Sequence, residues 1–281
     1  MDNNCTVISL VNQKGGVAKT STATILAYIL ANKYNKKVCL IDFDGQGNAS
    51  STMGIIEEAN KNLKDNETPI LLDDIDNTIV DIMNKLILDE EIPDIKNYVR
   101  NLKNVDVIPS NSELSMLESN LMNVEFQREV ILKRFVDSIR PKYDYIIIDS
   151  LPKLGQQMIN VLFASDEVII PTHCAKKSID GFHDLIKTIN KVQKYGNDKL
   201  KVAGILITMA SENTSAYNYL KEELEQGFGN YNIFKSVIPY VKKWEEGDIF
   251  GELWVEREPK HKASKRYYEF VEEYLKNKEE A

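Results

Sequence analysis

The stretch NQKGGVAKTST, residues 12–22, nearly matches the phosphate-binding pattern G-x-x-x-x-G-K-[ST] and departs from it at two positions. Where the pattern has glycine, this chain has Gln13 and Ala18. Gly15 and Gly16 lie inside the loop, and glycine lets a backbone adopt a positive φ and approach an anion closely. The stretch therefore predicts a variant phosphate-binding loop, with a plain Gly-Gly turn between a strand and a helix as the alternative.

The residues at the end of this loop carry the chemistry that a phosphate site needs. A helix N-terminus supplies N–H groups and roughly half a positive charge. Lys19 is placed to reach the β- and γ-phosphates of a nucleotide, and the Thr20 hydroxyl is placed to ligate Mg²⁺. Glycine is needed before the lysine only where φ is positive or a Cβ would strike the ligand. Ala18 therefore predicts a negative φ, with the wrapping of the phosphate left to Gly15 and Gly16.

Apolar runs on both sides of the loop predict the fold. An apolar run at 6–11 precedes the loop, a helical pattern at 20–33 follows it, and KKVCLIDFD (36–44) is typical of a strand. This order is a βαβ unit, and continuous Val/Ile/Leu runs predict strands that are buried on both faces. The fold class is thus α/β, a mostly parallel twisted sheet with helices on both faces. Further strands are predicted at 105–109, 145–149, 167–171, 202–208 and 234–239.

The chain of 281 residues shows no internal repeat or low-complexity linker, so a single domain over 1–281 is predicted. Residues 57–104 are polar and less regular, and they predict a peripheral acidic excursion with a helix near 79–88. Residues 57–94 hold twelve Asp or Glu and three Lys, a balance of −9, while the whole chain carries −8. The remaining chain is thus close to neutral, and the overall acidity does not exclude binding to a polyanion. We expect no helix-turn-helix domain before residue 6.

Composition excludes several classes of protein. Hydrophobic residues make up 43% and charged residues 28% of the chain, as in ordinary globular proteins. No apolar run in the sequence approaches the roughly 20 residues that span a bilayer, and the first residues, MDNNC, do not resemble a secretory signal. The three cysteines and three histidines are scattered, which predicts neither a disulfide framework nor a metal site built from them. A cytoplasmic location is expected.

Two further segments place acids at predicted strand ends. LIDFDGQGN (40–48) ends the second strand with Asp42 and Asp44, and ligands of open α/β sheets bind at this edge. YDYIIIDSLPKLG (143–155) ends an apolar strand in Asp149, which is placed to hold Mg²⁺ through water. An isolated acid after a strand is more often a turn residue, but the glycine loop in the same chain favours metal binding.

These three segments together resemble the motifs of the ParA/MinD family of deviant Walker-type ATPases. The similarity is greatest to the partition branch, ParA and Soj. The family loop K-G-G-x-G-K-[ST] is similar to residues 14–20, and D-x-D-P-Q-G-N is similar to residues 42–48. The third motif, Y-D-Y-I-I-I-D-[TS]-P-P-x-L-G, is similar to residues 143–155, with Leu151 and Lys153 as departures. Weaker similarities extend the match from about residue 6 to 275.

The resemblance implies a P-loop NTPase fold, ATP and Mg²⁺ as cofactors, and a Mg²⁺-dependent ATPase that is weak without a partner. It implies that Lys14 crosses a dimer interface to the partner's nucleotide, and that Asp44 positions the attacking water. Lys14, Asp44 and Lys19 are then catalytic, and Thr20 and Asp149 hold the metal, Asp149 through water. The base is expected near Met209 and Pro239. The full set of expected nucleotide contacts is Lys14, Gly15, Gly16, Val17, Ala18, Lys19, Thr20, Ser21, Met209 and Pro239.

The partition branch implies a homodimer on ATP binding, non-specific DNA binding, a ParB-like centromere-binding partner and association with the nucleoid. A MinD-like positioning ATPase on the membrane is the alternative. Five apolar or aromatic residues between 267 and 275 share one face of a predicted C-terminal helix, which is more typical of a docked helix than of a membrane anchor. No stable membrane association is therefore expected. Related tyrosine kinases carry C-terminal tyrosines in flexible tails, whereas these tyrosines lie on a predicted packed face.

Two basic segments are candidates for DNA contact. Residues 187–201 and 257–266 each carry a balance of +4, although lysines at such spacings are often a solvated helix face. Asn213 and Tyr240 occupy positions where partition relatives often have arginine, which weakens the prediction. The candidate DNA contacts are Lys187, Lys191, Lys194, Lys260, Lys262, Lys265 and Arg266.

Overall fold

The computed structural model describes residues 5–64, 67–174, 178–241 and 251–280, with only the backbone at 178–180. Within these residues one seven-stranded sheet has the order β3-β4-β2-β5-β1-β6-β7. Neighbouring strands are parallel except for β3 and β4, which are antiparallel. The mostly parallel α/β fold class is therefore confirmed. The strands are β1 (Thr6–Leu10), β2 (Val38–Phe43), β3 (Arg100–Leu102), β4 (Val105–Ile108), β5 (Tyr145–Ser150), β6 (Glu167–His173) and β7 (Lys201–Thr208).

Helices cover both faces of the sheet. The helices are α1 (Lys19–Asn32), α2 (Asn48–Met53), α3 (Ile55–Asn60), α4 (Ile79–Ile87), α5 (Leu117–Met122), α6 (Ile131–Ile139), α7 (Gln156–Ala164), α8 (Ser178–Tyr195), α9 (Ser215–Phe228), α10 (Trp254–Arg257) and α11 (Lys262–Glu279). One face packs α1, α2 and α11 into an apolar core, and the other packs α4 to α9 into a second core. Both faces of the central strands are buried, as their continuous apolar runs predict.

The observed strands differ from the sequence prediction in two places. The run at 234–239 is not a strand, although it follows β7 closely: Phe234 N–H donates to the Ile205 carbonyl at 3.0 Å, and Ile238 N–H to that of Ile207 at 3.0 Å. Between these points, the N–H groups of 235 and 236 donate to the carboxylate of Glu273 on α11 at 2.8 and 3.1 Å. The ladder is therefore interrupted. Strand β3 was not predicted, because its three residues, RNL, carry no apolar pattern.

The predicted helix near 79–88 is α4, and its sequence explains where it begins. Thr78 accepts from the N–H of Val80 at 3.2 Å, and Asp81 accepts from the N–H of Thr78 at 2.7 Å. This reciprocal pair is a capping box, which satisfies N–H groups that have no partner within the helix. The apolar face of α4 is buried in the core. The excursion 57–104 ends in β3 at the sheet edge, and the single-domain organisation stays a prediction.

The C-terminal helix α11 is docked on the sheet, as its apolar face predicts. Tyr267, Phe270 and Val271 are fully buried, and Tyr274 is 2% exposed. These side chains pack with α1 in one core, and the Tyr267 hydroxyl lies 3.3 Å from that of Thr22. Across the described ranges of the chain, every helix is too short or too polar to cross a membrane.

Candidate functional site

The loop between β1 and α1 adopts a conformation that corrects one prediction. Ala18 has φ 60° and ψ 34°, in the left-handed region, whereas a negative φ was predicted. Gly16 has φ 68°, but Gly15 does not share this conformation. Helix α1 begins on the Ala18 carbonyl, which accepts from the N–H of Thr22 at 3.0 Å and from its hydroxyl at 2.6 Å. The loop thus enters the helix through a left-handed residue, and an alanine holds that conformation at a cost of about 1 kcal/mol.

Side chains from the loop and from β7 anchor the loop. The Asn12 amide donates to the Pro171 carbonyl at 2.7 Å, and its oxygen accepts from the N–H of Lys14 at 2.9 Å. On the other side, the Thr208 hydroxyl donates to the Val17 carbonyl at 3.0 Å. Neither Asn12 nor Thr208 was predicted as a site residue. Asn12 lies within the quoted motif, but the partner of Thr208 is 191 residues away and leaves no local signal.

The two lysines of the loop have different environments. Lys19 is 7% exposed, and its ammonium donates to the Lys14 carbonyl at 3.2 Å. Burial lowers the pKa of Lys19, and the charges of Asp149 and Asp44 oppose that shift. Lys14 is half-buried, and its charge adds to burial in lowering the pKa of His173 at the end of β6. Lys19 is therefore fixed beside the acids, and Lys14 lies toward β6.

Asp42 and Asp149 are neighbours at the carboxyl ends of β2 and β5. Asp42 is fully buried and accepts from the N–H and hydroxyl of Ser50 at 2.8 and 2.7 Å. Burial raises the pKa of Asp42 to about 6 even though the Ser50 hydrogen bonds lower it. Asp42 thus ties the segment after β2 to the sheet.

Asp149 is buried without such partners. It is 1% exposed, and neither carboxylate oxygen accepts a hydrogen bond of ordinary geometry. Burial first, and the charge of Asp42 second, raise the pKa of Asp149 to about 8, while the nearby Thr20 hydroxyl and Lys19 lower it. A buried carboxylate that accepts no hydrogen bond of ordinary geometry, beside a threonine hydroxyl, offers oxygen ligands that suit a hard divalent cation such as Mg²⁺.

A cleft of about 500 Å³ brings Asp44 together with six of the predicted phosphate contacts, whereas Lys14, Val17 and Asp149 do not line it. The phosphate loop forms one wall, and the segments after β2 and β5 form the other. Asp44 is half-buried here, and one of its oxygens accepts from the N–H of Gln46 at 3.1 Å. The lining residues are Gly15, Gly16, Ala18, Lys19, Thr20, Ser21, Asp44, Gln46, Asn48, Leu151 and Pro152.

Met209 and Pro239, near which the base is expected, both line a second cleft of about 450 Å³. Tyr240 and Lys262 also line it, and Tyr240 is 62% exposed. Met209 directly follows Thr208, whose hydroxyl is bonded to the phosphate loop, and it adopts φ 51°. The second cleft is therefore linked to the phosphate loop through Thr208, although no residue of the loop lines it.

The two basic segments do not lie together. Helix α11 begins beside the second cleft at Lys262, and near its end Lys278 donates to Thr6, at the start of β1. The 257–266 segment is therefore at the carboxyl edge of the sheet. Lys201 starts β7, so the end of the 187–201 segment lies at the opposite edge. Arg266 is ion-paired with Glu212 and Glu269, both at 2.8 Å.

A parallel sheet with this loop between β1 and α1 defines the class of P-loop nucleoside triphosphatases. Residues 5–202 match the model of a family described as the AAA domain. The chain is 35% identical to the sporulation initiation inhibitor protein Soj of Bacillus subtilis over 271 residues, which cover 96% of this chain and 98% of that one. It is 32% identical to the chromosome partitioning protein ParA of Myxococcus xanthus over 270 residues, covering 96% of this chain and 88% of that one.

A solved structure of a plasmid partition protein from Borrelia burgdorferi is 25% identical and has a TM-score of 0.70, covering 96% of this chain and 98% of that one. The chain therefore belongs to the ParA/Soj family of partition ATPases. This membership confirms the resemblance that the three sequence motifs indicate.

Proposed function

We propose that this partition ATPase binds ATP with Mg²⁺, hydrolyses it slowly, and forms a dimer with ATP sandwiched between two copies. The observation that carries the proposal is the buried Asp149, whose oxygens accept no hydrogen bond of ordinary geometry and which lies close to Thr20 and Lys19. Such a carboxylate is unfavourable in the empty protein and favourable beside a cation. ATP supplies the phosphates that the adjacent loop is shaped to bind.

Each residue of the first cleft has a role in this proposal. The N–H groups of 15–21 and the Lys19 ammonium bind the phosphates, and Thr20 and Asp149 hold Mg²⁺, Asp149 through water. When bound, Mg²⁺ neutralises charge on the phosphate oxygens. Asp44 lies on the wall opposite the loop, where it orients the attacking water. Met209 and Pro239 enclose the base in the second cleft.

Lys14 is proposed to act on the nucleotide of the second copy. Lys19 already supplies a fixed cation on the inner side of the loop, so Lys14 is not needed there. A lysine contributed in trans stabilises charge in the transition state as an arginine finger does. Hydrolysis then depends on dimerisation, so the isolated chain should hydrolyse ATP only weakly.

We further propose that the ATP dimer binds DNA without sequence preference and segregates plasmid or chromosomal DNA with a ParB-like centromere-binding protein. Lys260, Lys262 and Lys265 favour this role because they lie at the nucleotide edge of the sheet, beside the second cleft. The 187–201 segment is less favoured, since it runs toward the opposite edge. Nucleoid association follows from DNA binding. The buried face of α11 does not favour the MinD-like alternative.

The test is retention of the purified chain on plain DNA with ATP, ADP or no nucleotide at several salt concentrations, beside sedimentation with anionic liposomes. We expect retention on DNA only with ATP, and a steep loss of retention as salt rises. The variant Lys260→Glu/Lys265→Glu should lose retention on DNA but keep ATP hydrolysis. The variant Lys194→Glu/Lys199→Glu should keep both properties. ATP-dependent sedimentation with liposomes without retention on DNA would replace the partition function with the membrane one.

A further inference from the structure

Glu118 on α5 makes a two-point contact with the start of α7. One carboxylate oxygen accepts from the N–H of Gln156 at 2.7 Å, and the other accepts from the N–H of Gln157 at 3.0 Å. The first N–H groups of a helix have no acceptor within the helix, and a carboxylate satisfies them strongly. Glu118 therefore fixes where α7 begins, and with it the end of the 151–155 loop that follows β5.

The segment that carries Glu118 also contacts the loop after β2. It begins with a single helical turn at Ser112–Met116. A Cβ built on Gly45, next to Asp44, would lie 3.2 Å from the backbone nitrogen of Ser115. The Gln157 amide donates to the Leu114 carbonyl at 2.8 Å. Residues 112–118 thus lie between the two loops that form one wall of the phosphate cleft.

We propose that Glu118 is a positioning residue for ATP hydrolysis, which holds the 151–155 loop in register with Asp44 along the same wall of the phosphate cleft. The inference rests on the proposed ATPase reaction. Glu118 lies outside the lining of the cleft and so acts through the loops it holds. Its loss should slow turnover more than it weakens ADP binding, because the phosphate loop is anchored independently by Asn12 and Thr208.

Gly155 offers a second way to disturb the same contact. Its φ of −170° is extended backbone that alanine adopts without strain. A Cβ at this position would lie 2.6 Å from a carboxylate oxygen of Glu118. Gly155→Ala should therefore displace the carboxylate and mimic its removal. In a chain that already carries Glu118→Ala, the same methyl group meets no carboxylate and should cost nothing further.

The experiment compares wild type, Glu118→Ala, Gly155→Ala and the double variant, with Glu113→Ala as an exposed acidic control on the same segment. Steady-state hydrolysis of Mg-ATP is measured on plain DNA at several protein concentrations, with ADP affinity and the melting temperature in parallel. We expect Glu118→Ala to lower kcat about tenfold, as small misplacements of catalytic groups do, with the Kd of ADP within about twofold of wild type.

Gly155→Ala and the double variant should match Glu118→Ala, and Glu113→Ala should match wild type. The hydrolysis rate of each variant relative to wild type should stay constant as protein concentration rises, which separates an effect on turnover from an effect on dimerisation. The inference is overturned if kcat is unchanged while the melting temperature falls, because Glu118 is then only a helix cap. It is also overturned if the loss of kcat in the double variant equals the product of the losses in the two single variants. Absence of hydrolysis in the wild type would instead overturn the proposed function, and the inference with it.

Discussion

The variant Asp149→Asn should stabilise the nucleotide-free protein while removing its response to Mg²⁺. Asp149 is buried, accepts no hydrogen bond of ordinary geometry, and lies next to Asp42. An asparagine has nearly the same shape and does not ionise, so the cost of burying the carboxyl group, whether as an ion or by protonating it on folding, disappears. Removal of a residue proposed to be essential for the metal should therefore raise the melting temperature of the empty chain.

The magnitude follows from the pKa of Asp149, which is about 8 in the folded chain. In the unfolded chain the pKa returns to about 3.9. A raised folded-state pKa contributes stability that is present below the unfolded value and is lost as pH rises through the folded value. Because pH 7 lies about three units above the unfolded-state pKa, the raised pKa lowers the free energy of unfolding at pH 7 by about 4 kcal/mol. If relaxation of the adjacent loops recovers half of this cost, about 2 kcal/mol remains, which corresponds to about 3 to 4 °C in melting temperature.

The assay is thermal unfolding of wild type and Asp149→Asn in chelator, without nucleotide, between pH 6 and 8.5, which avoids the isoelectric point near 5.2. The variant should be more stable throughout, and its advantage should not shrink as pH rises from 6 to 8, because a raised folded-state pKa makes the ionisable chain less stable as pH rises. Asp198→Asn, an exposed control, should shift the melting temperature by under about 1 °C. Mg-ATP should stabilise wild type far more than the variant. A variant that is less stable than wild type in chelator would refute the electrostatic argument.

Three other substitutions test the loop and the wall opposite it. Ala18→Gly should be neutral or stabilising by up to about 1 kcal/mol in chemical unfolding, because glycine has no strain in the left-handed region; clear destabilisation would contradict that conformation. Lys14→Ala should bind ADP normally but lose ATP-dependent dimerisation and hydrolysis, and unchanged hydrolysis would exclude the trans role. Asp44→Ala should accumulate as a long-lived ATP dimer in size-exclusion chromatography, and normal turnover would remove Asp44 from the mechanism.

The sequence predicted the fold well because buried parallel strands and a strand–loop–helix unit have strong local patterns. Most of the predicted strands lie where the apolar runs are, and α4 lies where its capping box places it. The failures have tertiary causes. The run at 234–239 does not form a continuous strand, because N–H groups within it donate to Glu273 on α11, which is 37 residues beyond Ser236. Ala18 adopts a left-handed conformation because the loop and the helix register require it, against its own preference.

The candidate site was predicted in composition but not in arrangement. The three motifs named Lys19, Asp44 and Asp149, and the sheet order brings their strands together because β5 lies between β1 and β2. The position of Glu118 had no such signal. It lies on a short helix outside the motifs, and its partners on α7 are 38 and 39 residues away. The separation of the two basic segments to opposite edges was likewise invisible until the direction of α11 was known.

Two energetically costly features of the fold coincide at the phosphate cleft. Asp149 is a buried carboxylate that accepts no hydrogen bond of ordinary geometry, and Ala18 is a left-handed alanine at the start of α1. Each costs stability, and both adjoin the place where phosphate and cation are proposed to bind. The cost at Asp149 is relieved when a cation binds beside the carboxylate and so adds to affinity, whereas the cost at Ala18 adds to affinity only where binding changes its φ. The nucleotide-bound chain should therefore be much more stable than the empty one, so the switch between free and ATP-bound states is strongly coupled to the stability of the loops that form the cleft.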